Sequence, residues 1–217
     1  AMKRAFADRA RLLGDRSDSV LASVDKMLSE PTIREIVRWI DPERAKQLPA
    51  PEKVLSPSGG TSHFCVVDSE GGAVSWTESI NLSFGSLITV PDTGIVLNDT
   101  IDDFALSLFS VNAFGLRQGR ENLLRPGARP LSSMTPVMVF GRDGLRLVAG
   151  GSGGPKIISA VLHVLVRVLW DGMSVGQAVQ SPRWHHQWAP NVLFVEPDLP
   201  PEIIKGFLQR GHTIRAY

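Results

Sequence analysis

A layered α+β fold is what the sequence predicts, and three observations carry the prediction. Residues 3–50 show the apolar spacing of short helices. A Pro/Ser/Gly linker at residues 50–60 ends that pattern. Beyond it, strand pairs bounded by turn residues give way to helices. With 217 residues, 43% of them hydrophobic and 21% charged, the chain has ordinary globular composition and enough length for one large core or two modest ones. It divides on this reading into a helical segment with linker, residues 1–60, and a domain at residues 61–217.

Each element has its own warrant. Ile33, Ile36, Val37 and Ile40 fall at i, i+3, i+4 and i+7, one face of a helix. Pro31 and Pro42 suit first-turn positions, and Asp41 before Pro42 suits an N-cap. Residues 62–68 and 73–79 are rich in β-branched and aromatic types and flank Ser69-Glu70-Gly71-Gly72, so they predict a hairpin. Residues 94–98 predict another strand. Residues 138–141 and 145–150, around Arg142-Asp143-Gly144, predict a second hairpin. A helix follows from about Lys156, then a shorter helix near 174–181, a strand at 191–196, a helix at 200–210 and a last strand at 213–217.

Composition excludes several functions. A net charge of +1 gives no broad basic field for nucleic acid and no acidic solvating tail. One cysteine, Cys65, excludes an internal disulfide framework and a multi-cysteine metal site. The most apolar window, Ile157–Trp170, is 14 residues broken by His163 and Arg167, too short to span a bilayer, and it predicts a helix buried on most sides. The opening residues carry no apolar stretch of signal length, and the compartment stays open.

The chemistry concentrates where the linker meets the first strand. Ser58-Gly59-Gly60 runs directly into Thr61. A hydroxyl residue there can attack the preceding carbonyl, and Gly60 permits the backbone conformation this needs. Cleavage would leave Thr61 with a free α-amine of pKa near ~8, able to act as base for its own hydroxyl. Taken alone, the same tripeptide reads as a flexible turn. His63 is assigned to the opposite strand face and given no role as base. Adjacent His185 and His186 point apart in any regular structure, so no metal is expected there, and Trp184 and Trp188 read as packing residues.

The stretch GGTSHFCVVDSEGGAV resembles the start of the small subunit of γ-glutamyltranspeptidases. The likeness continues through Ser79, Asn81, Ser83, Phe84 and Gly85, then GIVLNDTIDDF, RPGARPLSSMTP, GGSGGPKII and SPRWHHQW, in the family's order and spacing. Residues 3–60 resemble the last helices of the family's large subunit. The resemblance implies an N-terminal-nucleophile hydrolase, an αββα sandwich seen here in part and preceded by short helices.

It further implies autocleavage at Gly60–Thr61, with Thr61 as nucleophile and Ser79 orienting it. Gly153 and Gly154 would serve as oxyanion donors, Asn81 and Asp103 would hold the α-amino end of a γ-glutamyl group, and Ser132 and Ser133 would hold its α-carboxylate. The substrate would be a glutathione-like amide and the acceptor an amino acid, a peptide or water. No cofactor, metal, nucleic acid or membrane span is implied.

Three departures from the family matter. Thr100 stands where many members have Gln or Glu, the large-subunit Arg that pairs with the glutamate carboxylate lies outside the chain, and the sequence stops at Tyr217 where family members continue through further strands. The alternatives are therefore an unprocessed, inactive fragment or an acylase for another amide, with homo-oligomerisation as a further expectation.

Overall fold

The computed structural model describes residues 1–49, 59–108 and 110–217. These divide into two units: residues 1–49, 103–131 and 182–217 form unit one, and residues 59–102 and 132–181 form unit two.

Unit one opens with three helices, α1 (Met2–Leu12), α2 (Asp18–Leu28) and α3 (Glu30–Trp39). The Ser17 hydroxyl accepts from Val20 N–H at 3.3 Å and caps α2; Ser29 caps α3 in the same way, with Pro31 in the first turn. α1 buries Phe6 and Ala10 together with Lys3, Asp8 and Arg9. The predicted stripe of α3 does not reach a core: none of its residues is buried, and Val37 is 63% exposed. The helix expected at Pro42 is absent. Asp41 does make the bonds of an N-cap, accepting from the Glu43 and Arg44 N–H groups at 2.9 and 3.1 Å, but no helix continues beyond that turn. The predicted linker at residues 50–58 lies outside the described residues.

The same unit closes with a small mixed sheet, in which β5 (Trp184–His185) pairs antiparallel with β6 (Leu193–Val195) and β6 pairs parallel with β7 (Ile214–Ala216). Leu193, Val195 and Leu199 form its core, covered by Trp184, Ile214 and the residues Ile204 and Phe207 of α6 (Pro201–Gln209).

Unit two contains two antiparallel hairpins, β1 (Gly59–Val67) with β2 (Ala73–Leu82) and β3 (Val137–Gly141) with β4 (Gly144–Ala149). Asp68 Oδ1 accepts from both Glu70 and Gly72 N–H, fixing the first turn where the sequence placed it. Residues 94–98 form no strand, only an isolated bridge between Thr89 and Val96. Helix α4 (Lys156–Leu169) buries one stripe, including Ile157 and Val161, while Leu162 and Val166 are exposed, so it is covered on one side and not on most. A full capping box, Ser174 with Gln177, starts α5 (Val175–Gln180). Among the described residues no helix is long and apolar enough to cross a membrane.

Candidate active site

The β1–β2 register sets Thr61 opposite Ser79 and His63 opposite Thr77. Residues two apart on a strand share a face, so Thr61, His63 and Cys65 line up beside Ser79, Thr77 and Ser75. This corrects the assignment of His63 to the opposite face: counting by two from Thr61 would have placed it correctly. The Thr61 and Ser79 hydroxyls lie 2.9 Å apart. Ser79 Oγ also lies 3.4 Å from the Gly60 carbonyl oxygen, to which it donates, and accepts from Asn81 N–H at 2.9 Å. His63 Nδ1 sits 2.8 Å from Thr77 Oγ1 and Nε2 sits 3.1 Å from Cys65 Sγ.

The glycine run that precedes α4 lies against this face. A Cβ at Gly150 would come within 2.1 Å of the His63 ring, so only glycine lets the backbone there lie so close to the imidazole. Ser75 Oγ donates to Ala149 O at 3.1 Å and fixes the neighbouring residue. Gly153 (φ 122°) and Gly154 (φ 59°) follow and open α4, whose first N–H groups, of Lys156 and Ile157, bond back to their carbonyls. The hydrogen bonds around Thr61 do not extend to Gly153 or Gly154.

Asn81 is buried, at 3% exposed, with a left-handed backbone (φ 73°). Its amide donates to Asp99 O at 3.4 Å, and Asp99 Oδ1 accepts from Leu82 N–H at 3.0 Å. Thr100 spends its hydroxyl on Asn98 Oδ1, which also accepts from Thr100 N–H. Ser132 Oγ accepts from Met134 N–H at 3.0 Å, and the Ser133 carbonyl accepts from Thr135 Oγ1 at 3.0 Å; both serines lie in the segment that precedes β3.

Asp103 belongs to unit one and ends a 3-10 turn, Thr100–Asp103. Its carboxylate accepts from Asn112 Nδ2 at 3.2 Å, and its carbonyl accepts from Gln118 Nε2 and Asn122 Nδ2, each at 2.7 Å. Burial pulls the Arg9 guanidinium down to a pKa of about 10, against the opposing pull of the Asp103 charge. Sequence reasoning missed this amide and guanidinium support entirely.

In β5 and the residues after it, His185 is fully enclosed and its Nε2 lies 3.0 Å from Gln187 Oε1, while His186 Nδ1 accepts from Trp188 N–H at 3.1 Å. Trp188 Nε1 donates to Pro49 O at 2.9 Å. Among the described residues no cluster of three or more His, Cys, Asp or Glu is placed to hold a metal ion. A cavity of about 500 Å³ in unit one, lined by Arg4, Arg11, Arg117, Gln118 and Trp188 among others, contains none of the predicted site residues.

Residues 1–217 match the family model described as Gamma-glutamyltranspeptidase. The chain belongs to the gamma-glutamyltranspeptidase family. It is 37% identical over 221 residues to the glutathione hydrolase proenzyme of Escherichia coli (strain K12), which covers 99% of this chain and 37% of that protein. It is 42% identical over 155 residues to glutathione hydrolase proenzyme 1 of Schizosaccharomyces pombe, covering 71% of this chain and 24% of that protein. The chain thus spans well under half the length of these relatives.

A solved structure of a mutant Helicobacter pylori gamma-glutamyltranspeptidase resembles it with TM-score 0.69 and 36% identity, over 71% of this chain and 84% of that one. A cephalosporin acylase from Bacillus halodurans resembles it with TM-score 0.79 and 25% identity, over 99% of this chain and 36% of that one. The fold of this family member is accordingly the α+β fold of N-terminal-nucleophile hydrolases.

Proposed function

We propose that the protein is a γ-glutamyl amidohydrolase and acyltransferase whose nucleophile, Thr61, is released by self-cleavage of the Gly60–Thr61 bond. The observation that carries this reading is the contact of the Thr61 and Ser79 hydroxyls at 2.9 Å, with Ser79 reaching the Gly60 carbonyl at 3.4 Å. In cleavage, Thr61 Oγ1 attacks the Gly60 carbonyl carbon while Ser79 donates toward its oxygen. The C–N bond breaks, the hydroxyl proton passing to the freed Thr61 α-amine, to leave an ester, and water hydrolyses that ester to a Gly60 carboxylate and the Thr61 hydroxyl. That amine then takes the proton of its own hydroxyl.

Turnover repeats the chemistry on a substrate. Thr61 Oγ1 attacks the γ-amide carbonyl of a glutathione-like donor. The Gly153 and Gly154 N–H groups stabilise the oxyanion, the amine leaves with a proton, and water or an acceptor amine resolves the acyl-enzyme. Asn81 and Asp103 hold the α-amino end, where a charge-assisted bond is roughly twice as strong as a neutral one. Ser132 and Ser133 hold the α-carboxylate. Intact mass tests the first half: cleavage divides the chain into residues 1–60 and 61–217. A chromogenic γ-glutamyl anilide tests the second. Uncleaved protein that is inert toward the anilide would sink the reading.

A further inference from the structure

His63 is half-buried, and both of its ring nitrogens are engaged: Nδ1 lies 2.8 Å from Thr77 Oγ1 and Nε2 lies 3.1 Å from Cys65 Sγ. Two such contacts fix the rotation of the imidazole. The ring edge between the two nitrogens then lies on Gly150. A Cβ built there would fall 2.1 Å from His63 Cε1, 2.3 Å from Nδ1 and 2.5 Å from Nε2. One residue earlier, Ser75 Oγ donates to Ala149 O at 3.1 Å. The β1–β2 hairpin thus holds the chain where it leaves β4, at Ala149 and at Gly150. All of these residues belong to unit two.

The glycine run beyond Gly150 has its other anchor at α4. Ile157 and Val161 are 1% and 3% exposed there, and the Lys156 and Ile157 N–H groups bond back to Gly153 O and Gly154 O at 3.3 and 3.1 Å. Between the anchors lie Gly151, Ser152 and Gly153. A Cβ at Gly151 would meet nothing, and Ser152 and Gly153 are exposed. A stretch with so little packing of its own takes its position from its two ends.

We propose that His63 is a positioning residue for turnover: its ring fixes Gly150, and through it the Gly153 and Gly154 N–H groups that receive the oxyanion. This rests on the γ-glutamyl reading of the site. The two halves of that mechanism depend on His63 unequally. In self-cleavage the developing charge is on the Gly60 carbonyl oxygen, which Ser79 serves at 3.4 Å. In turnover it is on the substrate carbonyl, which the glycine run serves. Formation and resolution of the acyl-enzyme both pass through an oxyanion, so kcat depends on the run whichever step limits.

The experiment uses the complete protein. Self-cleavage is followed by intact mass against time, and kcat and KM are then measured on the processed protein with a γ-glutamyl anilide. His63→Ala should lower kcat about 10- to 100-fold, the scale of a displacement of about 1 Å at the reacting centre. KM should stay within about 3-fold and the cleavage rate within about 2-fold of wild type, as expected when only the transition state of turnover loses support. His63→Asn keeps an amide near the position of Nδ1 for Thr77 and should recover part of the loss. Gly150→Ala should lower kcat on the scale of His63→Ala. In a His63→Ala background it should cost no more than about 3-fold further, because the ring that its Cβ strikes is gone.

Where His63→Ala does not fold, the split between cleavage and turnover in Gly150→Ala carries the test. A kcat within about 2-fold of wild type in folded His63→Ala overturns the inference. So does an equal slowing of cleavage and turnover, which marks loosening of the whole hairpin, and so does a rise in KM alone, which marks a contact with substrate. Losses that multiply fully in the double variant overturn it as well, since the two residues then act separately. A processed wild-type protein that ignores the anilide overturns the γ-glutamyl reading, and the inference with it.

Discussion

Two short strands in this protein carry histidines, and they use them in opposite ways. On β1, His63 is half-buried, bonded by Thr77 and Cys65, and stands two residues from Thr61 in a row of hydroxyls that remain partly exposed. On β5, His185 has no exposed surface and packs edge-on to Phe6 with ring centres 5.3 Å apart, and the adjoining His186 is 3% exposed. The first arrangement leaves its polar side chains partly exposed. The second encloses them, so their protonation is linked to folding and not to chemistry. If the contrast is right, substitutions on β1–β2 should change turnover at nearly constant stability, and those around His186 should change stability.

The largest effect expected is at Thr61. In the proposed mechanism Thr61→Ala removes the attacking oxygen, so intact mass should show one uncleaved chain, and turnover of a γ-glutamyl anilide should fall by at least about 10⁴-fold, the scale seen when a nucleophile is deleted. The melting temperature should stay near that of unprocessed wild type, because only one half-exposed hydroxyl contact is lost. A marked stability loss would mean that the polar face of β1 belongs to the core after all.

Ser79→Ala should come next. In the proposed mechanism Ser79, which contacts the Thr61 hydroxyl and faces the Gly60 carbonyl, orients the attacking group without being it. Cleavage and turnover should slow by about 10- to 100-fold, corresponding to roughly 1.4–3 kcal/mol of lost transition-state stabilisation. Following cleavage by intact mass against time measures it. A rate within 2-fold of wild type would reduce the 2.9 Å contact to packing.

His186 sharpens the other side of the comparison. Burial first, then the charges of Lys3, His212 and His185, lower its pKa from 6.5 to about 3. The folded protein therefore keeps His186 neutral, consistent with its Nδ1 accepting from Trp188 N–H, while the unfolded chain takes up a proton near pH 6.5. The unfolded state binds more protons below that pH. Stability is thus fully present above about 6.5 and declines toward pH 3, by up to about 1.4 kcal/mol per pH unit. Burial also lowers the pKa of His212, which acts in the same direction. Denaturant titrations at pH 7, 6, 5 and 4 should show the decline, and His186→Asn should flatten it. An unchanged slope in the variant would assign the pH dependence elsewhere.

What the sequence made legible was local. Both hairpins, α4, α5, α6 and the last two strands sit within a few residues of their predicted places, because alternation and turn residues such as Asp68 and Gly72 act over a handful of positions. A turn at residues 69–72 would have paired Thr61 with Ile80; the observed turn takes in Asp68 as well, and that one-residue difference sets Thr61 opposite Ser79. The support of Asp103 was not legible, since it comes from Arg9, Asn112, Gln118 and Asn122, residues whose types serve equally well on a surface. The covering of His63 by Gly150 was hidden for the same reason: 87 positions separate them in sequence, 150 less 63, and no local pattern encodes the contact. The strand expected at 94–98 failed because Asp92 and Gly94, both at positive φ, turn the chain so tightly that only the Thr89–Val96 bridge can form.

The smallest effect should come from the other face of the β1–β2 hairpin. There Phe64 and Trp76 stack with ring centres 6.5 Å apart, and they are 48% and 53% exposed. Apolar side chains thus stand outward on the hairpin whose hydroxyls turn toward Ala149 and Gly150, the reverse of the usual alternation of a one-sided sheet. A cross-strand aromatic pair at this exposure contributes roughly 0.2–1 kcal/mol. Trp76→Ser in the 217-residue chain should therefore lower stability by no more than about 1 kcal/mol in a denaturant titration. Thr61 chemistry should persist, because the Thr61–Ser79 contact lies on the opposite face. A loss above about 3 kcal/mol, the scale of a buried aromatic truncation, would mean that this face is packed in solution and that the hairpin's two faces are not so differently used.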